Sequence, residues 1–416
     1  MLNTCLKGQF YKLQMAEQKR IRMADLTKTT QVINAIHQRS KALLSESTIV
    51  CVSDPFKDGD DLAYIMGLIN LAKKQSFNVV IIVSDTISFK VNDTEVDLRT
   101  TLLLYTLKHC YGDDAVKWFN PTGQSQITIL TSHPTTYYVK SDDGTYKDSK
   151  GSLAVTHTSE FIESVIKSMT SDELRKCSMV NFSNQRICNL MNAIGDCKFY
   201  LLVCASWNPI LELLSSEYRN WFMEHLVYAV FQGCTVIDNS DEADKPNARA
   251  SYNPRTTDGK TYAGAITYLF RECYQKMSFV HSGATRTDTT LVKPDTYIVS
   301  SDSSSESSLH ATLKKIYQDF LSLGYHQFWL HDWIVFLIML SDTTTATVEG
   351  FPTTTDTENI PIVGLTHNGL FFSKNCSNPE RCVMFGTSLD VKVIKKIGNY
   401  GEEPEFMEVL QKMMNP

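Results

Sequence analysis

The sequence predicts an α/β fold with a largely parallel central sheet and helices on both faces. Three observations lead there. Short apolar runs with β-branched bias recur along the chain: Ile49, Val50, Cys51 and Val52; then 78–83 (NVVIIV), 126–130 (QITIL) and 199–204 (FYLLVC). Stretches with apolar residues at helical spacing separate them, and such alternation builds a parallel sheet covered on both faces. The first run also ends in a turn dense in acid, with Asp54, Asp58, Asp60 and Asp61 around the breakers Pro55 and Gly59. In an open α/β sheet a strand-to-helix turn lies at the carboxyl edge, where ligands bind.

Each element follows in order. Residues 1–45 form a basic extension, in which Lys7, Lys12, Lys19, Arg20, Arg22, Lys28, Arg39 and Lys41 outnumber Glu17 and Asp25. Leu26, Thr30, Ile33 and His37 fit one helical face there. The segment reads as a solvated or partner-binding helical extension, with an organelle transit segment as the minor alternative. After the acidic turn, Leu62, Ile65, Met66, Ile69 and Ala72 predict a helix. Further helices are expected over 100–109, 160–169, from Asn208-Pro209 through Leu214, over 262–273 and over 309–323. Another follows His331-Asp332 through Leu340. Residues 225–231 lead into a strand through Cys234, Val236 and Ile237. The tail predicts regular structure at 360–365, 370–372 and 383–384, then a helix over 390–396. Residues 46–416 form one domain, with polar insertions near 135–151, 239–260, 300–308 and 341–359. The last of these reads as an exposed loop.

Composition narrows the class. The chain has 416 residues, 43% hydrophobic and 21% charged, enough for a sizeable core without staples. A net charge of -6 leaves no nucleic-acid footprint, so no nucleic-acid partner is expected. Eleven scattered cysteines form no disulfide framework, and the close pair Cys376 and Cys382 lacks a second pair for zinc. Reduced thiols imply a cytoplasmic chain. The longest apolar run, 333–340, is far too short to span a bilayer, so no membrane partner is expected.

The acidic turn, Val52-Ser53-Asp54-Pro55-Phe56-Lys57-Asp58-Gly59-Asp60-Asp61-Leu62-Ala63, resembles the signature of the inosine–uridine preferring nucleoside hydrolase family, DxDPGxDDA before a helix. Asp54-Pro55 matches the middle Asp-Pro, and Asp60-Asp61 the closing pair, with two extra residues in the turn. Four later segments follow the family order. Residues 202–211 (LVCASWNPIL) are similar to its strand plus GPLTNLA helix start, and Phe231-Gln232-Gly233 to its Met-Gly-Gly turn. Ala250-Ser251-Tyr252-Asn253, with Asp258 after it, resembles AEFN…DPEAA. Leu330-His331-Asp332 resembles the late His-Asp-Pro.

The resemblance implies a Rossmann-like, nucleoside-hydrolase-like architecture from about residue 47 to the end. It implies a nucleoside N-ribohydrolase that uses Ca²⁺ to split a ribonucleoside into free base and ribose. Asp54, Asp61 and Asp332 would hold the ion with the main-chain carbonyl of Asn208. Asp60 would be the general base for a water on the metal. His331 would donate to the leaving base, Asn253 would contact ribose hydroxyls, and Asp85 and Ser251 would complete the sugar site. A small-molecule nucleoside is then the partner, and a homo-oligomer, dimer or tetramer, is plausible. Hard oxygen donors suit a cation that accepts ribose diols as ligands.

The chain departs from the pattern at Val52 for the first Asp, Phe56 for the glycine, Ser251 for the Glu, and Ala205-Ser206 for Gly-Pro. Two function classes therefore stand: the Ca²⁺-dependent ribohydrolase, and a catalytically inactive relative with a binding or structural role in an assembly. For Asp58 and Asp60 alone, a solvated helix start is the plain alternative, since Asp is favoured in the first helical turn.

Overall fold

The computed structural model describes residues 30–56, 59–91, 94–120, 125–132, 139–140, 146–147, 155, 159–178, 183–238, 240, 259–281, 283–284, 291–292, 314, 318, 328–329, 331–342, 353–366, 369–374, 376 and 378–398. Helix α1 covers 30–44. Strand β1 (Ser47–Ser53), helix α2 (Asp60–Gln75) and strand β2 (Asn78–Val83) follow. A hairpin of β3 (Ser88–Val91) and β4 (Thr94–Asp97) leads to α3 (Leu98–Tyr111), α4 (Asp114–Trp118) and β5 (Ile127–Thr131). Then come a small hairpin, β6 (Val139–Lys140) and β7 (Tyr146–Lys147), and helices α5 (Ser159–Ser168), α6 (Ser171–Lys176) and α7 (Ser183–Ile194). The next stretch holds β8 (Lys198–Val203), α8 (Asn208–Leu214), α9 (Arg219–His225), β9 (Leu226–Cys234), β10 (Val236–Ile237), α10 (Gly259–Cys273) and β11 (Met277–His281). The chain closes with β12 (Leu291–Val292), β13 (Phe328–Trp329), α11 (His331–Asp342), β14 (Thr353–Thr366), β15 (Phe371–Phe372) and β16 (Cys382–Gly398).

One ten-stranded sheet runs β10-β15-β14-β16-β11-β9-β8-β1-β2-β5. From β16 to β5 every neighbouring pair is parallel, and β14 is antiparallel to both β15 and β16. The fold is therefore α/β with a mostly parallel central sheet, as the sequence predicts. Alternate strand residues feed two cores. Ile49, Cys51, Ile81 and Leu202 pack with α2, α3 and α11 on one face. Val50, Val52, Leu201, Val203 and Phe231 pack with α8 and α10 on the other. The chain passes from β1 outward to β2 and β5, then returns to β8 on the opposite side of β1. The helices leaving β1 and β8 thus go to opposite faces, the arrangement that in an open α/β sheet places a ligand site at the carboxyl ends of those strands.

Three sequence expectations are corrected. Residues 390–396 are strand, not helix: they lie inside β16, which pairs with β11 on one side and β14 on the other. Val391 and Val393 are buried with half-buried Lys392 between them, a two-residue period that sheet burial selects over helical propensity. Residues 353–359 belong to β14, so the expected exposed loop at 341–359 is strand over its second half. Its threonines are β-branched, and exposed residues on this strand read in sequence as loop. In α1 the buried face is Val32, Ala35, Ile36 and Leu44 with half-buried Ile33 packed against the same core, while Thr30 is exposed and His37 is half-buried. The expected helix at 309–323, apart from 314 and 318, the Ser-rich 300–308, and Leu26 lie outside the described residues, as does most of 135–151 and 239–260.

Candidate functional site

The acidic turn sits where β1 ends. Gly59 is the N-cap of α2 and Asp60 and Asp61 open its first turn. A solvated helix start would leave them in water, yet Asp54, Asp60 and Asp61 are each no more than 4% exposed. Asp61 turns back to β1: its Oδ1 accepts from Ser53 Oγ at 2.6 Å and from the Asp54 amide at 3.2 Å. Val52, which stands where the resembled turn has its first Asp, faces the opposite core. Ser53 therefore braces the turn in this chain, a role that sequence reasoning missed because a serine at a strand end carries no distinctive signal.

Asp332 arrives from 272 residues away. It is the second residue of α11, 3% exposed, and its amide donates to Asp60 Oδ2 at 3.3 Å. The carboxylate of Asp60 thus meets the positive end of α11. His331 opens the same helix and is half-buried. On the β8 side, Asn208 begins α8, 6% exposed, and its amide donates to Ser206 Oγ at 3.3 Å. Ser84 Oγ, after β2, donates to the Ser206 carbonyl at 3.5 Å and ties the β2 end to this segment. Asp85, 4% exposed, follows Ser84. The structure therefore gathers Asp54, Asp60, Asp61, Asp85, Asp332 and Asn208 at one sheet edge. Ser251, Asn253 and Asp58 lie outside the described residues.

Arg99 is the second residue that sequence reasoning missed. It is 0% exposed in the first turn of α3. Its Nη1 donates to the Asp54 carbonyl at 2.9 Å and the Pro55 carbonyl at 2.7 Å, and its Nε to the Asp85 carbonyl at 2.9 Å. Asp97 fixes the start of that helix, accepting from the amides of Ile87 at 2.7 Å, Thr100 at 2.8 Å and Arg99 at 3.3 Å. A hydrophilic Arg inside the sequence L-R-T-T-L-L-L reads as an exposed helix position, so only the fold reveals it.

The backbone here is unusual. Among the described residues, positive φ outside glycine occurs at Phe56 (72°), Ser76 (61°) and Asp85 (49°). Phe56 stands where the resembled turn has glycine and keeps the left-handed conformation a glycine would hold easily. For a buried phenylalanine that conformation costs about 1–3 kcal/mol.

Below the turn lie buried thiols. Burial pushes the Cys204 thiol well up, and the charges of Asp332, Asp61 and Asp60 add to that. Burial likewise raises Cys51 to about 12, with Asp61 contributing. These cysteines are inert, un-ionised neighbours of a concentrated negative field. Among the described residues no two cysteines are bonded.

In kind, the donors fit a hard cation: carboxylate oxygens from Asp54, Asp61 and Asp332, and the carbonyl of Asn208. In spacing they do not, because among the described residues no three His, Cys, Asp or Glu side chains stand close enough to share one ion. A separate cavity of about 30 Å³, lined by Ile82, Leu130, Ile187, Pro209 and Leu213 among others, has room for a water and not for a nucleobase. No described helix is long and apolar enough to cross a membrane.

No protein-family model matches the sequence, and no curated protein does. Solved structures show distant likeness. The type III effector protein XopQ, complexed with adenosine diphosphate ribose, aligns over 93% of this chain and 99% of its own at 12% identity and a TM-score of 0.48. The inosine-uridine preferring nucleoside hydrolase from Bacillus anthracis aligns over 88% of this chain and 99% of its own at 10% identity and a TM-score of 0.48. A purine-preferring ribonucleoside hydrolase from Gardnerella vaginalis aligns over 88% of this chain and 99% of its own, at 14% identity and a TM-score of 0.42.

Proposed function

We propose that this chain is a nucleoside N-ribohydrolase that cleaves the N-glycosidic bond of a ribonucleoside to free base and ribose. One observation carries the reading. The Asp332 amide donates to Asp60 Oδ2 at 3.3 Å, so two motifs that resemble the same family and lie 272 residues apart meet at the sheet edge. Two unrelated solvated acids would have no reason to be buried against each other there.

In this reaction water bonds to C1′ as the C1′–N bond breaks, and the base leaves with the bonding electrons. Asp60 takes the proton from the attacking water, as a general base within hydrogen-bond reach of it. One oxygen of Asp60 accepts the α11 amide, which fixes the carboxylate at the sheet edge. His331, next to Asp332, gives the proton or hydrogen bond that the leaving base needs. Asp85, with Ser251 and Asn253, orients the ribose. Asp54, Asp61, Asp332 and the Asn208 carbonyl would hold Ca²⁺. When bound, that ion would ligate ribose hydroxyls and stabilise developing charge. A homo-oligomer, dimer or tetramer, and a cytoplasmic location belong to the same proposal.

A second reading has its own support. Among the described residues no three His, Cys, Asp or Glu side chains are grouped to hold a metal ion, and Asp61 Oδ1 already serves Ser53 and Asp54. On that reading the chain is a catalytically inactive relative with a binding or structural role. Ribose release from a nucleoside panel, with and without added Ca²⁺, together with calorimetric titration of Ca²⁺, separates the two. Calcium-dependent ribose release is expected. No ribose from any nucleoside and no calcium binding would overturn the enzyme reading in favour of the second.

A further inference from the structure

We infer that Arg99 is the positioning residue of this acidic edge, holding in place two left-handed turns that glycine does not supply. The inference rests on the reading of the edge as a site, but its geometry stands independently.

Two turns meet at the guanidinium. One follows β1, where Pro55 precedes Phe56 at φ 72°, and the other follows β2, at Asp85 itself with φ 49°. Arg99 Nη1 takes the Asp54 and Pro55 carbonyls, the two immediately before Phe56, and Nε takes the Asp85 carbonyl. The same planar fork therefore fixes the peptide plane entering one left-handed residue and the plane leaving the other. Left-handed backbone at residues with a Cβ persists only where surrounding contacts over-determine it. The third described case, Ser76, needs no such clamp: it is the C-cap of α2, and its amide donates to the Ala72 carbonyl at 2.7 Å.

The position of Arg99 is itself fixed. Its amide donates to Asp97, whose carboxylate also holds the Ile87 amide, two residues beyond Asp85. Helix α3, the β2 turn and the β1 turn are thus joined through one buried side chain, which holds the backbone of both Asp54 and Asp85. Lysine cannot replace it, because an ammonium is a point donor without the rigid fork.

The test uses the full chain and two readouts, neither of which needs a nucleoside. In Arg99→Met, hydrogen exchange in peptides covering 53–62 and 84–88 should rise at least tenfold, with less than twofold change in β9 and β11. No local rise, or an equal rise across the sheet, overturns the assignment. The second readout is a double-mutant cycle on the unfolding equilibrium. Asp85→Gly, which removes the left-handed strain, should favour the folded state at least fivefold more in the wild type than in the Arg99→Met background, where the unclamped turn relaxes. Additivity within twofold overturns the inference. If Arg99→Met does not fold, Arg99→Lys carries the same cycle with the same criterion. Failure of either readout counts against Arg99 alone, and absent ribose release counts against the ribohydrolase reading alone.

Discussion

Replacing Asp97 with alanine should destabilise the chain by about 3 kcal/mol, and the figure follows from what its carboxylate holds. Asp97 is fully buried and caps α3 through the amides of Arg99 and Thr100, and it also accepts from the Thr100 hydroxyl. Losing a cap of this kind costs about 1 kcal/mol. Ile87 is 1% exposed, so its amide would lose its acceptor in a dry place, which costs about 1–3 kcal/mol. Part of that is returned, because burial pushes the Asp97 carboxyl above its ordinary value of 3.8 despite the hydrogen bonds from Thr100 and Ile87. The sign follows: the group's contribution is fully present below pH 3.8 and declines as pH rises through the raised folded value. Urea unfolding at pH 7 should therefore show a lower midpoint with unchanged slope. For Asp97→Asn, which does not titrate, the deficit against wild type should be larger on the acid side and narrow as pH rises. A loss under about 1 kcal/mol for Asp97→Ala, or a deficit that widens with pH, would refute this account of the cap.

Three other outcomes follow from the site and its supports. Asp60→Asn keeps an acceptor for the Asp332 amide but removes the base, so ribose release should fall at least a hundredfold with an unchanged urea midpoint; an unchanged rate takes the role from Asp60. Ser53→Ala should cost about 2 kcal/mol, the usual range for a buried hydroxyl bonded to a carboxylate, read by urea unfolding; a loss below about 0.5 kcal/mol would show that the Asp54 amide alone braces Asp61. Burial raises the Glu173 carboxyl, but hydrogen bonds from Lys108 and Thr170 outweigh it and hold it below its ordinary 4.5. Since Lys108 is 39% exposed, the pair should stabilise by no more than about 1 kcal/mol above pH 4.5. The gap between wild type and Glu173→Gln should close as pH falls through the lowered folded value; a pH-independent gap would contradict it.

The strands that carry the site are legible in sequence because each is buried on both faces. A run such as 78–83 is apolar from its second residue onward, and a strand covered by helices on either side is what selects that composition. The acidic turn is legible as a motif, and the meeting of Asp60 with Asp332 only through the order of motifs. What sequence does not show is the means by which the turn is held. Ser53 and Arg99 act through hydrogen bonds between segments 8 and 14 to 45 residues apart, and nothing in local composition marks such partners. Phe56 looks in sequence like a damaged glycine position. Its φ of 72° shows a left-handed residue, and Arg99 holds the two carbonyls that precede it. The tail misleads for a different reason: Asp390 to Lys396 has the charge spacing of a helix, but its place between two strands decides the matter.

The position of β16 has a consequence for how the chain assembles. It is the last described strand in sequence, yet it is an interior strand of the sheet, parallel to β11 and antiparallel to β14 over a register from Thr353↔Gly398 to Thr366↔Cys382. Everything from β5 to β11, including the whole acidic edge, can pair without it, while β10, β15 and β14 join that half of the sheet only across β16. On a ribosome, the acidic edge would take shape while the sheet still had an open flank at β11. The final strand then works as a closing stitch whose arrival turns two partial sheets into one, and a chain halted before Cys382 would carry its site on a sheet with an unsealed, aggregation-prone edge.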